Sequence, residues 1–314
     1  MKPTTLLFVL LCNSIFVFAQ DSHFTQYQSA RGYLNPAMVG TDSTLVLSTG
    51  YRGQWPKIDG TYKTFRFSAD KYVRLFKGGL GIDFIYDNAA SGTLITNGIT
   101  LNYAPHFELF KNKLVVQSGI GFGLMQKSID WSKLTFGDMI DPQSGFVYNT
   151  NEVPGTSQKS FLDINAGIFI YSKSIYGGFA IHHLTEPDEG LIGPSKLPRK
   201  LTLHAGANLY FKKDVNHNFI LSPNILYMQQ QDFHELMPGI TLKYKFIVAG
   251  FSYRNEDAFN TYAGLQFNFF KVGYSYDYTT SLLTNRTGGS HEIQLAFFIH
   301  RKKNVCKIKT IRMI

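Results

Sequence analysis

Six polar residues in this sequence have side chains that could carry acid–base chemistry. They alternate with apolar neighbours in six separate runs: Asp83, His106, Asp163, His204, Asp277 and Glu292. A histidine or a carboxylate acts as a general acid or base when it lies within hydrogen-bond reach of a reacting group. These six residues are spread along the chain without fixed spacing. The sequence therefore favours a structural network in which buried polar groups satisfy one another.

A histidine pair and two glycine-rich stretches are the other candidates for chemistry. Successive side chains of a strand point to opposite faces, so His182 and His183 cannot bind one metal ion together without a bend. The stretches KGGLG (77–81) and SGIGFG (118–123) lack a following helical pattern, and with it the helix N-terminus that binds phosphate. The sequence contains no G-x-S-x-G nucleophile motif either. It predicts no enzyme, no cofactor and no metal site.

The elements that must position these residues are β-strands, because polar and apolar residues alternate with a period of two. In VGYSYDY (272–278), every second residue is Val or Tyr, and Gly, Ser and Asp lie between them. Regular or looser versions of this pattern occur near 45–53, 62–72, 80–87, 99–109, 116–124, 162–170, 175–184, 201–209, 218–229, 236–243, 247–254, 261–269, 272–279 and 292–299. About 14 strands, an even number, are typical of a transmembrane antiparallel up-and-down β-barrel. The predicted fold is this all-β barrel, with apolar faces toward lipid and Gly, Asp, Ser and Thr toward the lumen.

The connections between the runs support the barrel, because such barrels have short periplasmic turns and longer external loops. The predicted external connections lie near 54–61, 88–95, 128–160, 185–199, 230–235, 255–260 and 279–290. The connections between them are tight, and each carries or adjoins a lysine or arginine. The periplasmic rim is therefore predicted to be positive. A soluble β-sandwich or cupin-like barrel, with the apolar face as its core, is the alternative fold, but it would not require so many glycines on its polar face.

The two ends of the chain are expected to lie outside the barrel wall. Residues 1–19 have the basic start, apolar run and final small residue of a secretory signal peptide. Residues 20–44 precede the first strand, and their aromatic and Asn/Gln side chains could plug the lumen. The barrel is predicted over 45–300, and residues 301–314 form a basic periplasmic tail. The formal net charge of +9 does not indicate a nucleic-acid partner, because an exported protein does not meet nucleic acid.

The connection 128–160 is far longer than usual, and long connections are typically functional or disordered. Its apolar residues are too numerous for a disordered tether. We expect it to fold over the barrel mouth or to grip a partner. The residues predicted to bind that partner are Trp131, Leu134, Phe136 and Phe146.

Several segments resemble the PorP/SprF-type membrane proteins of the type IX secretion system of Bacteroidetes-type bacteria. The resemblance is carried by HFTQYQSARGYLNPAMVG (23–40), YRGQWPKI (51–58), GGLGIDFIYDNAASGTL (78–94), SIDWSKLTFGDMID (128–141), LPRKLTLHAGAN (197–208), SYRNEDA (252–258) and VGYSYDYTTSLLTNRTGGSHEIQL (272–295). These motifs extend over nearly the whole mature chain. The tail after Arg301 is longer than the family pattern, and nothing is carried over onto it.

The resemblance implies an outer-membrane barrel that works with the secretion and gliding machinery rather than a general porin. Some members are core components needed for the export of many proteins, and others look like dedicated partners of one large surface adhesin. The implied partners are the C-terminal sorting domain of an exported protein, other type IX secretion components and membrane lipids. A passive channel is the alternative function, because a barrel of about 14 strands can enclose a pore if nothing fills it.

Overall fold

A computed structural model of the protein describes residues 21–110, 113–141, 143–146, 148–151, 155–211, 218–281 and 286–299. The predicted signal peptide and the predicted basic tail lie outside these residues. No helix within the described ranges is long and apolar enough to cross a bilayer. Strands make up most of the chain from Leu45 onward.

Seventeen strands occur in the described residues. Their bounds are β1 Leu45–Gln54, β2 Tyr62–Val73, β3 Gly78–Ala89, β4 Leu94–Leu109, β5 Leu114–Ile129, β6 Ile140–Asp141, β7 Gly145–Phe146, β8 Gln158–Tyr171, β9 Ile175–His182, β10 Lys200–Ala207, β11 Leu209–Tyr210, β12 Phe219–Gln230, β13 Phe233–Tyr244, β14 Ile247–Arg254, β15 Ala258–Gln266, β16 Phe270–Thr279 and β17 Ser290–Ile299. The two-residue strands β6 and β7 pair with each other outside the main sheet.

The main sheet closes on itself. Each strand pairs antiparallel with its neighbour in the chain, and β1 pairs with β17 from Leu45 opposite Ile299 to Gln54 opposite Ser290. Both β10 and β11 pair with β12, so they are one barrel strand interrupted at Asn208. Among the described residues this gives a closed barrel of 14 strands, and the predicted fold is confirmed.

The structure corrects the predicted lengths of two external connections. Gln230 lies opposite Phe233, so the connection predicted over 230–235 is a two-residue turn in which Gln231 has a φ of 52°. Arg254 lies opposite Ala258, so the connection predicted over 255–260 is a turn of only three residues. Alternation becomes irregular near strand ends, and for that reason the sequence pattern made these loops too long. The long connections are those after β5, β9 and β16.

The two faces of the wall differ as the alternation predicts. Large apolar side chains point outward, and Leu101, Phe122 and Leu162 have exposed fractions of 58%, 55% and 72%. The inward face carries glycines and buried polar residues such as Ser48 and Asn102. A sandwich would bury its apolar faces between two sheets, whereas this single closed sheet presents them outward to lipid.

Residues 21–44 lie inside the barrel. The segment forms three short helical turns, Tyr27–Ser29, Arg31–Leu34 and Pro36–Met38. Most of its side chains are buried, and Asn35, Ala37 and Met38 are fully enclosed. We refer to residues 21–44 as the N-terminal segment.

Candidate functional site

Glycines on the lumen face let the N-terminal segment approach one side of the wall closely. A Cβ atom on Gly119 would overlap the backbone of Ala37, and one on Gly79 would overlap the carbonyl group of Val39. Backbone meets backbone at both places, so no rotamer change could make room for a side chain. We call the lumen face of β3, β4, β5 and β8 the packed wall.

Asn35 fixes the segment to this side of the barrel. Its Nδ2 donates to the carbonyl oxygens of Ile168 at 3.1 Å and Phe179 at 3.3 Å, and its Oδ1 accepts from the Ala37 N–H at 2.8 Å. His204 Nε2 lies 3.3 Å from Asn35 Nδ2. Asn35 thus links the segment to β8, β9 and β10 through a side chain with no exposed surface.

A buried ion cluster holds the segment near the external mouth. Arg52 Nη2 lies 2.7 Å from Asp277 Oδ2, and Arg52 Nη1 lies 3.3 Å from Glu292 Oε2. Glu292 accepts hydrogen bonds from the backbone N–H groups of Thr25 at 2.7 Å and Gln26 at 3.0 Å. All three charged side chains are at most 2% exposed. The attraction between opposite charges therefore has to offset the cost of removing each charge from water.

A second arginine extends this cluster. Arg254 Nη1 lies 3.5 Å from Asp277 Oδ2, and Arg254 Nε lies 3.3 Å from Glu235 Oε1. Thr25 Oγ1 donates to Asp277 at 2.8 Å. The N-terminal segment is therefore bound to strands β1, β14, β16 and β17 through one hydroxyl and two backbone N–H groups.

Asp21 is anchored by a separate set of charges at the external end of β9 and β10. Its carboxylate lies 2.9 Å from His183 Nε2 and 3.0 Å from Lys200 Nζ, and His183 Nδ1 lies 3.0 Å from Asp163. Burial alone would raise the pKa of Asp21, but Lys200 and His183 hold it well below its ordinary value. Burial alone would lower the pKa of His183, but the Asp21 and Asp163 carboxylates raise it to about 9.

His182 and His183 both bind the N-terminal segment, and the expectation that they point to opposite faces was wrong. His182 Nε2 lies 3.1 Å from the Leu34 carbonyl oxygen. Strand β9 ends at His182, and His183 has a φ of 56°, so its ring turns back into the lumen. No group of three or more His, Cys, Asp and Glu side chains in the described part of the chain is arranged to hold a metal ion.

The six polar residues singled out in the sequence all lie on the lumen side but fall into separate groups. Asp277 and Glu292 share the arginine cluster, and Asp163 contacts His183. Asp83 accepts from Asn102 Nδ2 at 2.8 Å and lies 3.6 Å from Arg66 Nη1.

The two remaining histidines of that set lie among aromatic rings. His204 stacks on Phe169 with ring centroids 5.6 Å apart. His106 packs edge-on against Tyr72 and Tyr171, and neither of its ring nitrogens has a hydrogen-bond partner among the described residues. His106 is therefore apart from the ion clusters.

Sequence reasoning missed the cations of these clusters. Arg52, Arg66, Arg254 and Lys200 are all buried and all face the lumen. A signal was present, because Arg52 and Arg254 have the same parity as the small residues of their runs. Reading parity through the less regular runs would have placed both guanidinium groups inside the barrel.

The connection between β5 and β8 is folded outside the barrel. Trp131 begins a helical turn, Trp131–Lys133, that is capped by Asp130, whose carboxylate accepts from the Ser132 N–H at 3.1 Å. Farther on, Ile140 in β6 pairs with Phe146 in β7. We call residues 130–157 the external loop.

Acidic side chains stabilise the turns of this loop. Asp141 accepts from Tyr148 OH at 2.9 Å and from the Ser144 N–H at 2.7 Å. Asp138 accepts from the Asn151 N–H at 2.6 Å. These bonds give the loop a defined shape without strong secondary structure.

Neighbouring connections support the external loop from two sides. The Asp130 N–H donates to the Thr93 carbonyl oxygen at 2.9 Å, and the Thr156 N–H donates to Leu191 at 2.9 Å. Lys159 Nζ lies 2.6 Å from Asp188, and this hydrogen bond, together with those from the Ser195 and Gly190 N–H groups, lowers the pKa of Asp188 to about 2. The loop is thus part of a platform formed by three connections.

Of the four residues predicted to bind a partner, Trp131, Leu134 and Phe136 are half-buried within the platform. Phe146 lies in β7, and its side chain is outside the described part of the structure. Among the loop side chains that the structure describes, the most exposed large apolar ones are Ile140 at 48% and Tyr148 at 54%.

Comparison with known proteins finds one family and a set of barrel structures. Residues 16–297 match the model of the family described as type IX secretion system membrane protein PorP/SprF. No curated protein sequence matches the chain.

Similar solved structures include the Ralstonia pickettii toluene transporter TbuX, with 11% identity and a TM-score of 0.49 over 87% of this chain and 94% of that one. The CymD monoaromatic hydrocarbon channel has 12% identity and a TM-score of 0.45 over the same shares. BamA from Haemophilus ducreyi has 8% identity and a TM-score of 0.38 over 82% of this chain and 70% of that one.

Proposed function

Because this chain belongs to the PorP/SprF family of type IX secretion system membrane proteins, we propose that its external loop binds the C-terminal sorting domain of an exported surface protein or adhesin. Binding there supports secretion of that protein or its retention at the cell surface, in cooperation with the gliding machinery. The chain lies in the outer membrane, where the platform faces the exterior. The family and the barrel fold are related to secretion and transport rather than to enzymatic activity.

The observation that carries the proposal is the folded external platform. A loop that is hydrogen-bonded to two neighbouring connections loses little conformational freedom when a partner docks on it. Half-buried and exposed apolar side chains on such a surface are the usual anchors of a protein interface. Ile140 and the strand pair β6–β7 add an apolar residue and a short strand edge to this surface.

The N-terminal segment supports a binding role over a passive channel. It crosses the lumen from Asp21, near the external ends of β9 and β10, to Thr44, just before β1 begins at the periplasmic end. We infer that it plugs the barrel. The exposed bases Arg74, Lys77, Lys173 and Lys245 in the periplasmic turns suit a partner or envelope component with negative charge.

The test compares surface and culture-medium proteomes of wild-type cells, cells lacking this gene, and cells with the triple variant Trp131→Ala, Leu134→Ala and Phe136→Ala. Loss of one large surface protein from both altered strains supports a dedicated partner. Loss of many proteins that bear C-terminal sorting domains supports a core component.

The matched control is Leu162→Ala, which removes an apolar side chain that is 72% exposed on the outward face of β8, away from the platform. Its proteome should match that of the wild type. Barrel abundance and heat-dependent gel mobility verify that each variant folds. If the triple variant folds and retains every surface protein, the external loop is not the binding surface. If cells lacking this gene retain all these proteins, the proposed role in secretion is contradicted.

A further inference from the structure

A cavity lies between the N-terminal segment and strands β12–β16. It measures about 50 Å³, and its polar lining includes Gln26, Ser29, Ser252, Asn260, Tyr262 and Lys271. About 10–15 Å³ accommodates one water molecule, so the cavity holds a ligand of roughly four non-hydrogen atoms. We call the lumen face of β12–β16 the cavity wall.

Among the residues that the structure describes, Lys271 is the one cation of the cavity wall that is buried without a counter-charge. The residue is 9% exposed. Its Nζ lies 3.3 Å from Ser29 Oγ and 5.8 Å from the centre of the Tyr262 ring. Within the described ranges, no carboxylate lies within ion-pair distance of Lys271. The other buried cations, Arg31, Arg52, Arg66, Lys200 and Arg254, each have one.

Such an unpaired charge is costly, and that cost points to a ligand. Removing an ammonium group from water without a counter-charge is unfavourable by several kcal/mol, of order the penalty known for buried ions. A hydroxyl group and an aromatic face offset part of this cost, but neither carries a negative charge. An anion in the cavity would supply the missing charge.

The groups around Lys271 are also prepared for a hydrogen-bonding ligand. Tyr262 OH is buried and has no hydrogen-bond partner in the described structure. Gly264 and Gly273 leave room for the Tyr262 side chain to lie at the cavity, because a Cβ atom on either would meet it. The Gln26 and Asn260 amides each leave one group without a partner, and an amide can present its oxygen or its NH₂ by a flip.

We propose that this cavity binds a small carboxylate of about the size of acetate. The ammonium group of Lys271 neutralises its charge, and the hydroxyl groups of Ser29 and Tyr262 donate hydrogen bonds to its oxygens. Binding here joins the N-terminal segment to the cavity wall. The proposal does not depend on the partner of the external loop.

The test uses the purified full chain, folded in detergent at constant ionic strength with chloride as the background anion. Saturation-transfer NMR on the acetate methyl resonance measures binding, and acetamide is the uncharged competitor of the same shape. The wild type should show saturable acetate binding that acetamide does not displace. Lys271→Met should weaken binding about tenfold or more, because it removes a charged hydrogen bond.

Three variants make the result specific. Lys271→Arg keeps the charge and should retain most of the binding. Lys245→Met removes an exposed lysine of a periplasmic turn and should change nothing. Tyr262→Phe keeps the ring but removes the hydroxyl group, so it should weaken acetate binding even if Lys271→Met does not fold. Absence of saturable binding in the wild type, equal competition by acetamide, or wild-type affinity in a folded Lys271→Met protein would overturn the proposal.

Discussion

The packed wall and the cavity wall hold the same segment in different ways. On the packed wall, Gly79 and Gly119 leave room for segment backbone, and the contact is continuous. On the cavity wall, Gly264 and Gly273 leave room for the Tyr262 side chain, and Gly273 also leaves room for the Gln26 side chain of the segment. Gly79 and Gly119 therefore admit segment backbone, whereas Gly264 and Gly273 admit side chains.

This difference separates two kinds of stabilisation. Contacts with the packed wall depend on shape and on amide groups such as that of Asn35. Contacts with the cavity wall are mainly polar, such as Tyr27 OH to Asn224 at 2.9 Å, Gln26 Nε2 to Ser275 at 3.3 Å and Thr25 Oγ1 to Asp277 at 2.8 Å. Tyr27 also lies in an apolar cluster with Leu226, Met228 and Met237. We expect the side chains of Gln26 and Tyr27 to leave the cavity wall more readily than residues 35–39 leave the packed wall, because single neutral hydrogen bonds contribute about 1 kcal/mol each.

The largest effect is expected from Gly119→Ala, which breaks the packed wall. The new methyl group would overlap Ala37 backbone, and overpacking of this kind costs about 1–3 kcal/mol or more. The segment should be displaced, so planar-bilayer recordings should show a higher conductance than the wild type. Urea unfolding should show the accompanying loss of stability.

The matched control is Gly177→Ala, which makes the same substitution on the outward face of β9. A Cβ atom there would lie 3.6 Å from the His204 carbonyl oxygen, an ordinary contact. Its conductance should equal that of the wild type. Equal conductance of the Gly119 and Gly177 variants would contradict the idea that close packing holds the plug.

An intermediate effect is expected from a change of pH. It alters the charges of His183 and Asp21 at the external end of the segment but not the contacts with the packed wall. The pKa of His183 rises from 6.5 to about 9, so its stabilising contribution is complete below pH 6.5 and is lost as pH rises through about 9. The pKa of Asp21 is lowered from 3.8, so its contribution is lost only in acid. Hydrogen exchange of residues 21–27, corrected for intrinsic rates, should accelerate between pH 6.5 and 9.5, while residues 32–40 stay protected.

The variant His183→Gln serves as the control for this measurement. It keeps a hydrogen-bonding side chain but cannot titrate, so the corrected exchange rates of residues 21–27 should be the same at pH 6.5 and 9.5. If residues 21–27 and 32–40 lose protection together in the wild type, the segment is released as one unit and the two anchors are not independent.

The smallest effect is expected from Gly250→Ala on the cavity wall. Its Cβ atom would lie 3.2 Å from Thr241 Oγ1 and from the Ile240 carbonyl oxygen, so its neighbours need to move by only a few tenths of an ångström. The slight crowding lowers the free energy of unfolding. It offsets the increase of about 0.4–1 kcal/mol that alanine gives by making the unfolded chain less flexible. Urea unfolding should therefore give a midpoint close to that of the wild type. A loss as large as that of Gly119→Ala would remove the distinction between the walls.

Alternation alone was enough to predict the barrel and the direction of its faces. The period of two in VGYSYDY assigns Tyr274 outward and Asp277 inward without any knowledge of neighbouring strands. Turn residues and chain direction then determine the antiparallel order. For these features the information is local, and the sequence contains it.

The contents of the lumen could not be predicted in the same way. The N-terminal segment has no period, so nothing in the sequence shows that Asn35 meets β8 and β9. The inward turn of His183 depends on a positive φ that no residue pattern announces. Alternation shows that Gly119 faces the lumen, but which atoms occupy that space depends on contacts between residues about 80 positions apart.

The seam between β1 and β17 has a consequence for assembly. Leu45 lies opposite Ile299, so this seam joins the two most distant strands and can form only when the last strand is in place. Glu292 in that last strand accepts the backbone N–H groups of Thr25 and Gln26. The segment can therefore form these hydrogen bonds only as the barrel closes. Pairing of β17 with β1 both completes the wall and fixes the N-terminal segment, which precedes β1 in the chain.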